Sequence, residues 1–275
     1  MSSDDSEAPL PVIDALRSKH PDPHPPHSST LLIASSLPLL ENIEITGSHI
    51  SIVARRIQGS AGPGGCDAPH WQDILCRFGS CSRRLCDAVA ELTRLLANSL
   101  VDWPRFQALL SNRLIVLDKS PGVRPIRVGE MLRRIIGKAV CLVTRNDAED
   151  VCSSKQLCAG LRCGAEGATH AMSDLFDSHN DSYGMLIMDA ENAFNSINRS
   201  SLLWNIRILW PRASRFIFNT YGGYSLLILK GSSEVLHSSE GVVQGDPLSM
   251  FIYAVATIPL IEAVSYTHLT LPTKA

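Results

Sequence analysis

The chain has 275 residues, of which 45% are hydrophobic and 19% charged, and its formal net charge is −2. These values allow one sizeable hydrophobic core and exclude a fibrous or wholly disordered protein. The charge is uneven: residues 105–145 contain nine basic and two acidic side chains, so this segment carries +7 and the remainder −9. Such a basic segment indicates either a phosphate-facing surface or a solvated helix face.

Residues 1–30 are predicted to form a disordered Pro/His-rich segment, because residues 20–27 contain four prolines. The eight cysteines form no Cys-x-x-Cys pair and are interpreted as reduced packing residues. The acidic N-terminus does not resemble a secretory signal, and the longest apolar run, 250–264, is too short to cross a bilayer. We therefore expect an intracellular protein, cytoplasmic or nuclear, that is neither secreted nor bound to a membrane.

Hydrophobic periodicity predicts helices that alternate with short strands. The region 50–57 is predicted as a helix or a strand. Helices are predicted at 71–100, 130–143, 165–176, 200–210, 215–220 and 248–264, the last with a kink at Pro259. Strands are predicted at 113–119, 124–128, 185–188, 225–230 and 234–237. Local hairpins, without a glycine-rich phosphate loop after any strand, favour an α+β fold over a doubly wound parallel sheet.

The first chemical motif is the apolar run 185–188, which is followed by Asp189. A buried strand that ends in a carboxylate places a hard oxygen ligand at the rim of a sheet, where it suits Mg²⁺. The same pattern also fits a turn residue or a helix N-cap.

The second motif is the segment 240–249, which contains Gln244 and Gly245 before Asp246-Pro247. Glycine allows the backbone to approach a ligand closely, and glutamine can both donate and accept hydrogen bonds. Proline favours the first turn of a helix. A helix-entry turn without a ligand would account for the same residues.

The third motif is a predicted basic hairpin, in which Lys119 and Arg124 flank the turn at Pro121-Gly122. Two cations at adjacent strand ends can hold a triphosphate, with arginine supplying a fork and lysine a point charge. An ordinary basic surface hairpin is the alternative.

The order and spacing of these motifs resemble the reverse transcriptases of non-LTR retrotransposons and their group II intron relatives. The resemblance covers roughly residues 50–264 and includes the glycine-rich stretch 59–63, the Gly129-Glu130 pair, Gln156 and the stretch 160–166. It implies a right-hand polymerase, with fingers and a partial palm over residues 31–264. The palm sheet would be incomplete, antiparallel and packed with helices.

The resemblance also implies the chemistry, which is RNA-directed DNA polymerisation with two Mg²⁺ ions. Asp189 would ligate both ions, and the Ala190 carbonyl would help to hold one. Lys119 and Arg124 would hold the incoming triphosphate. The implied partners are an RNA template, a DNA primer and deoxynucleoside triphosphates.

Further roles are carried over from the family in the same way. Phe194 would clash with a ribose 2′-hydroxyl and so favour deoxynucleotides, and Gln244 and Gly245 would line the nucleotide and template side of the pocket. Template phosphates would be followed by Arg127, Arg133, Arg134 and Lys138.

One family motif has no counterpart in this sequence. An aromatic-x-Asp-Asp hairpin normally supplies the remaining metal carboxylates, but no Asp follows Asp246. Residues 265–275 do not match the family and are interpreted as a non-native tail, translated from a sequencing adaptor. We therefore expect a C-terminally truncated chain that does not polymerise by itself.

Two other functions remain open at this point. The chain could be a non-catalytic, nucleic-acid-binding remnant of a retroelement, which would show a steep salt dependence without nucleotide incorporation. It could also be a domesticated structural protein that kept the fold and lost the chemistry.

Overall fold

The computed structural model describes residues 12–119, 123–159, 161–178 and 189–270, the last six of them by their backbone alone. The helices are α1 (Val12–Ser18), α2 (Gly47–Arg56), α3 (Ala68–Cys76), α4 (Gly79–Asn98), α5 (Met131–Cys152), α6 (Gly164–Ser178), α7 (Ala193–Ser196), α8 (Arg199–Leu209), α9 (Pro211–Tyr221) and α10 (Ser249–Thr270). The strands are β1 (Asn112–Asp118), β2 (Val123–Gly129), β3 (Ser225–Leu229) and β4 (Val235–Ser238). The predicted strand 185–188, the turn at 121–122 and Gly160 lie outside the described residues.

The described strands form a mixed sheet in the order β2-β1-β3-β4. Both predicted hairpins are confirmed, since β1 pairs with β2 and β3 with β4 in antiparallel fashion. The strands β1 and β3 are parallel, so the expectation of a purely antiparallel sheet is wrong for this part of the chain. The α+β class is confirmed. Among the described strands, β2 and β4 lie at the two edges of the sheet.

The larger hydrophobic core lies among the helices α2, α4, α5, α8, α9 and α10. Trp210 is fully buried there, and its indole nitrogen donates a hydrogen bond to the Thr144 carbonyl oxygen at 3.1 Å. This bond satisfies the one polar group of an otherwise apolar side chain. Since Trp210 lies between α8 and α9 and Thr144 lies in α5, the bond joins three helices.

The predicted helix 71–100 is divided into α3 and α4. The hydroxyl of Ser82 bridges the break, because it accepts from the Phe78 amide at 2.9 Å and donates to the Ile74 carbonyl at 2.8 Å. Asp67 caps the start of α3 by accepting from the His70 amide. Hydrophobic periodicity continues through the break, which is why the sequence predicted one helix.

Residues 12–30 differ from the disordered segment predicted for 1–30. Leu16 of α1 is fully buried, and it packs with Leu114, Leu227 and Leu236 on one face of the sheet. Ile13 packs against the same cluster. Covering an apolar sheet face stabilises this short helix in a way that local propensity cannot reveal.

The cysteines differ in their environments. All eight cysteines are free, as predicted, but only Cys86 and Cys152 are buried, and burial raises the pKa of Cys152 to about 11. Five of the other six are exposed, so the packing role assigned to them is wrong.

No helix in the described part of the chain combines the length and apolar content needed to cross a membrane.

Candidate functional site

A cavity of about 720 Å³ lies beside the edge strand β2. It brings together residues from four separate parts of the sequence: the end of α1, the β1–β2 hairpin, the segment after the undescribed residues 179–188, and the loop before α10. The described lining residues are Lys19, Lys119, Val123, Arg124, Pro125, Ile126, Asp189, Ala190, Glu191, Asn192, Asn195 and Gln244. Lys119, Arg124, Asp189, Ala190 and Gln244, which the sequence predicted from three motifs, therefore line one cavity.

The two hairpin cations are accessible to a ligand. Lys119 and Arg124 are both exposed, and Arg124 lies opposite Leu117 in the β1–β2 ladder. Alternation along β2 turns Arg124 to one face of the sheet and Arg127 to the other. The cavity thus receives positive charge from the strand ends next to the hairpin turn.

The carboxylate side of the cavity is formed by Asp189 and Glu191, which are both exposed. Their oxygen atoms are the hard ligands that Mg²⁺ prefers. Among the described residues, however, no three His, Cys, Asp or Glu side chains group closely enough to hold a metal ion. The described donor set therefore does not fit a two-metal centre.

A tight turn fixes the chain directly after these carboxylates. Asn192 has a left-handed backbone conformation with φ of 51°, which asparagine tolerates better than most residues. Its Oδ1 accepts a hydrogen bond from Nδ2 of Asn195 at 2.8 Å. Asn195 is buried and also binds Arg127. Sequence reasoning missed both asparagines, although their spacing across a turn was a usable signal.

Arg127 lies behind the cavity and is held by hydrogen bonds to distant parts of the chain. It is 3% exposed, and its Nη1 donates to Ser238 Oγ at 2.7 Å. Its Nη2 donates to Asn195 Oδ1 at 2.6 Å and to the Val242 carbonyl oxygen. Burial lowers the pKa of Arg127 to about 9, with the neighbouring Arg199 and Arg133 acting in the same direction. The role predicted for Arg127 in binding template phosphate does not fit this burial.

Arg133 is likewise buried and paired. Its Nη2 lies 2.6 Å from Asp246 Oδ2, and the two side chains are 4% and 7% exposed. The Tyr221 hydroxyl donates to the same carboxylate oxygen at 3.1 Å. Although burial disfavours its charge, Asp246 and Tyr221 raise the pKa of Arg133. Arg133 therefore holds the loop that carries Gln244 and cannot contact template phosphate in this arrangement.

The other two predicted phosphate contacts differ from these. Lys138 is exposed on α5. Arg134 is half-buried, and its Nη2 donates to the Ser60 carbonyl in the glycine-rich stretch. Burial lowers the pKa of Arg134. Neither residue is among the described lining residues of the cavity, so their role in binding a template stays a prediction.

Phe194 is half-buried and lies beside the cavity rather than among its described lining residues. Its ring stacks on Tyr253 of α10, with ring centroids 5.0 Å apart. Its carbonyl oxygen accepts a hydrogen bond from the Val242 amide at 2.6 Å. The expected steric contact of this ring with a ribose does not fit the observed packing, because the ring packs against α10.

The loop 240–247 has two glycines with different constraints. Gly245 is exposed and has a φ of +87°, so a side chain there would strain the backbone without meeting close neighbours. Gly241 has a φ of +68°, and a Cβ there would lie 2.2 Å from the Phe194 carbonyl oxygen. The loop therefore packs tightly against the segment 193–195, and this contact places Gln244 at the cavity.

A buried carboxylate and a buried guanidinium group support the start of this loop. The Glu240 carboxylate is 3% exposed and accepts from the backbone amide of Arg199. The Arg199 guanidinium donates to the carbonyl oxygens of Gly223, Ser238, Glu240 and Gly241. Burial lowers the pKa of Arg199 to about 10. Sequence reasoning singled out neither side chain, because nothing local marks a buried charge.

Comparison with known proteins adds no assignment: no protein-family model matches the chain, and no curated protein matches it significantly.

Proposed function

We propose that this chain is part of a reverse transcriptase of the non-LTR retrotransposon type, with fingers and a partial palm. Such an enzyme is an RNA-directed DNA polymerase that adds deoxynucleotides to a primer 3′-hydroxyl. One observation carries the proposal: Lys119, Arg124, Asp189, Ala190 and Gln244 come from three separate motifs and line one cavity. A set of unrelated surface residues would have no reason to converge in this way.

The cavity suits a deoxynucleoside triphosphate. Arg124 offers a planar fork and Lys119 a compact point charge, and both chemistries recognise phosphate. Gln244, from the loop before α10, offers a donor and an acceptor to the same cavity, where a base or sugar edge could be held. In this proposal an RNA template and a DNA primer approach the same cavity, with Lys138 and Arg134 near the template.

The described residues supply only part of the metal site that the proposed polymerase needs. The complete polymerase would use two Mg²⁺ ions, towards which Asp189 and the Ala190 carbonyl are the contributions of this chain. Two divalent ions repel each other strongly and need several carboxylates to hold them close together. Since no Asp follows Asp246, we propose that this chain binds the nucleotide but does not extend a primer.

The second candidate is a nucleic-acid-binding remnant without catalysis. It is favoured by the exposed Lys119, Arg124 and Lys138 together with the lack of a described metal-binding group. This function predicts binding of nucleic acid that weakens steeply with salt and does not depend on a nucleotide.

The proposal is tested by titrating deoxythymidine triphosphate against the chain in the presence of Mg²⁺. The double variant Lys119→Gln/Arg124→Gln is expected to bind at least about tenfold more weakly, because charge-assisted hydrogen bonds contribute roughly 1.5–3 kcal/mol each. Lys230→Gln is the matched control, since Lys230 is exposed and lies outside the cavity. If the wild-type chain binds no triphosphate, or the double variant binds as well as the control, the proposed function is wrong.

Primer extension on an RNA template separates the two candidates. We expect no incorporation by this chain, and incorporation by a version extended through its natural downstream sequence that Asp189→Ala abolishes. Failure of the extended version, together with salt-sensitive nucleic-acid binding, would favour the remnant. Extension by the present chain would contradict the proposed need for further carboxylates.

A further inference from the structure

The N-terminal segment brings a third cation to the cavity. Lys19 directly follows α1, and its side chain lines the cavity together with Lys119 and Arg124. The segment is anchored by Leu16, which is fully buried and packs with Leu114, Leu227 and Leu236. The position of Lys19 is therefore set by the fold and not by a loose tail.

Hydrogen bonds fix the backbone of Lys19 at the rim. Nδ2 of Asn192 donates to the Lys19 carbonyl oxygen at 2.9 Å, so the turn that follows Glu191 is hydrogen-bonded to this residue. On the other side, the ring nitrogen Nδ1 of His20 lies 2.8 Å from the Leu16 carbonyl oxygen. The segment and the carboxylate-bearing turn are thus in direct contact.

The ammonium group of Lys19 is available for a ligand. Its Nζ is 3.8 Å from Glu191 Oε1, but the Glu191 side chain is 92% exposed. Exposed pairs of this kind contribute little, and an anion with more charge can displace them. Among the described lining residues, Lys19, Lys119 and Arg124 face the two carboxylates of Asp189 and Glu191, which leaves an excess of positive charge.

We propose that Lys19 is a third triphosphate-binding residue of the cavity and that α1 serves to deliver it. The inference rests on the proposed function, because it assumes that the cavity takes a nucleoside triphosphate. It adds a residue from a segment that carries none of the three motifs. The N-terminal segment thereby becomes part of the nucleotide site, with Glu191 as the counter-ion of Lys19 in the absence of nucleotide.

The experiment compares deoxythymidine triphosphate binding by the whole chain, Lys19→Gln, Lys19→Arg and the control Lys230→Gln, with Mg²⁺ present. Lys19→Gln is expected to weaken binding about tenfold, because one charge-assisted contact to phosphate is lost. Lys19→Arg, which keeps the charge, is expected to restore most of the affinity. The urea midpoint of Lys19→Gln is expected to stay at the wild-type value, since only the side chain that faces the cavity changes.

The outcomes separate this inference from the proposed function. If Lys19→Gln binds as well as the Lys230→Gln control while Lys119→Gln/Arg124→Gln loses binding, the role of Lys19 is overturned and the proposed function stands. If Lys19→Arg fails to restore binding lost in Lys19→Gln, the charge is not what matters, and the role is likewise overturned. If the wild-type chain binds no triphosphate, both fall together.

Discussion

The basic segment of the sequence divides into two groups with opposite environments. At the cavity, Lys119 and Arg124 are exposed and accessible to a ligand. Behind it, Arg127 and Arg133 are almost fully buried and bind a carboxylate, a side-chain amide, a hydroxyl and a carbonyl oxygen of the protein. Arg124 and Arg127 are only three positions apart on one strand. The number of charged residues in a segment predicts where cations cluster. The face of the strand or helix on which each cation lies decides whether it can contact phosphate.

The largest effect is expected from removing a buried cation of the second group. Arg133→Ala leaves Asp246 buried without its ionic partner, and such a change costs about 3–5 kcal/mol in the free energy of unfolding. Lys138→Ala on the exposed side of the same helix is the control and should stay within about 0.5 kcal/mol of wild type. Urea denaturation measures both. Equal midpoints for the two variants would abolish the distinction between the groups.

A similar contrast is expected within strand β2. Arg127→Ala leaves the Val242 carbonyl and the Asn195 side chain without their donor, so we expect a loss of roughly 2–4 kcal/mol of stability. Arg124→Ala should leave stability nearly unchanged and weaken triphosphate binding instead. The pair of measurements would contradict the account if Arg124→Ala unfolded the protein and Arg127→Ala did not.

The free energy of unfolding is expected to depend on pH through His20, whose pKa is influenced by its burial and by the buried Arg127. Burial first, and then the charge of Arg127, lowers the pKa of His20 from 6.5 to about 4. Between these pH values the unfolded chain binds a proton that the folded chain does not. Stability should therefore fall as pH drops from about 6.5 to about 4, by up to roughly 3 kcal/mol.

The variant His20→Leu isolates this contribution from that of the carboxylates. Its free energy of unfolding, measured by urea denaturation at pH 7 and at pH 5, should fall less on acidification than that of the wild type. An identical pH dependence in both proteins would mean that His20 is not buried in the folded chain.

Much of the fold could be predicted from the sequence, since it depends on local patterns. The hairpin β1–β2 follows from the two strand-like segments on either side of Pro121-Gly122 in the sequence. Asn198 directly precedes α8, and its side chain accepts from the Ser201 amide as a helix cap should. The convergence of Lys119, Asp189 and Gln244 on one cavity was anticipated only through the resemblance of their motifs to a family. Periodicity alone gives no information on which loops meet.

What could not be predicted depends on contacts between distant residues. Leu16 is buried only because Leu114, Leu227 and Leu236 form an apolar sheet face for it to cover. Arg133 and Arg134 are neighbours in sequence, yet only Arg133 has Asp246 within reach, 113 positions away. Phe194 was expected to face the nucleotide, but its ring stacks on Tyr253 of α10. In each case a partner far along the chain decides the environment.

The most direct test of the central claim is a crystal structure of the chain with deoxythymidine triphosphate and Mg²⁺. We expect phosphate density in contact with Lys119 and Arg124, with the base or sugar directed towards Gln244. A triphosphate bound elsewhere on the surface, or contacting neither hairpin cation, would contradict it.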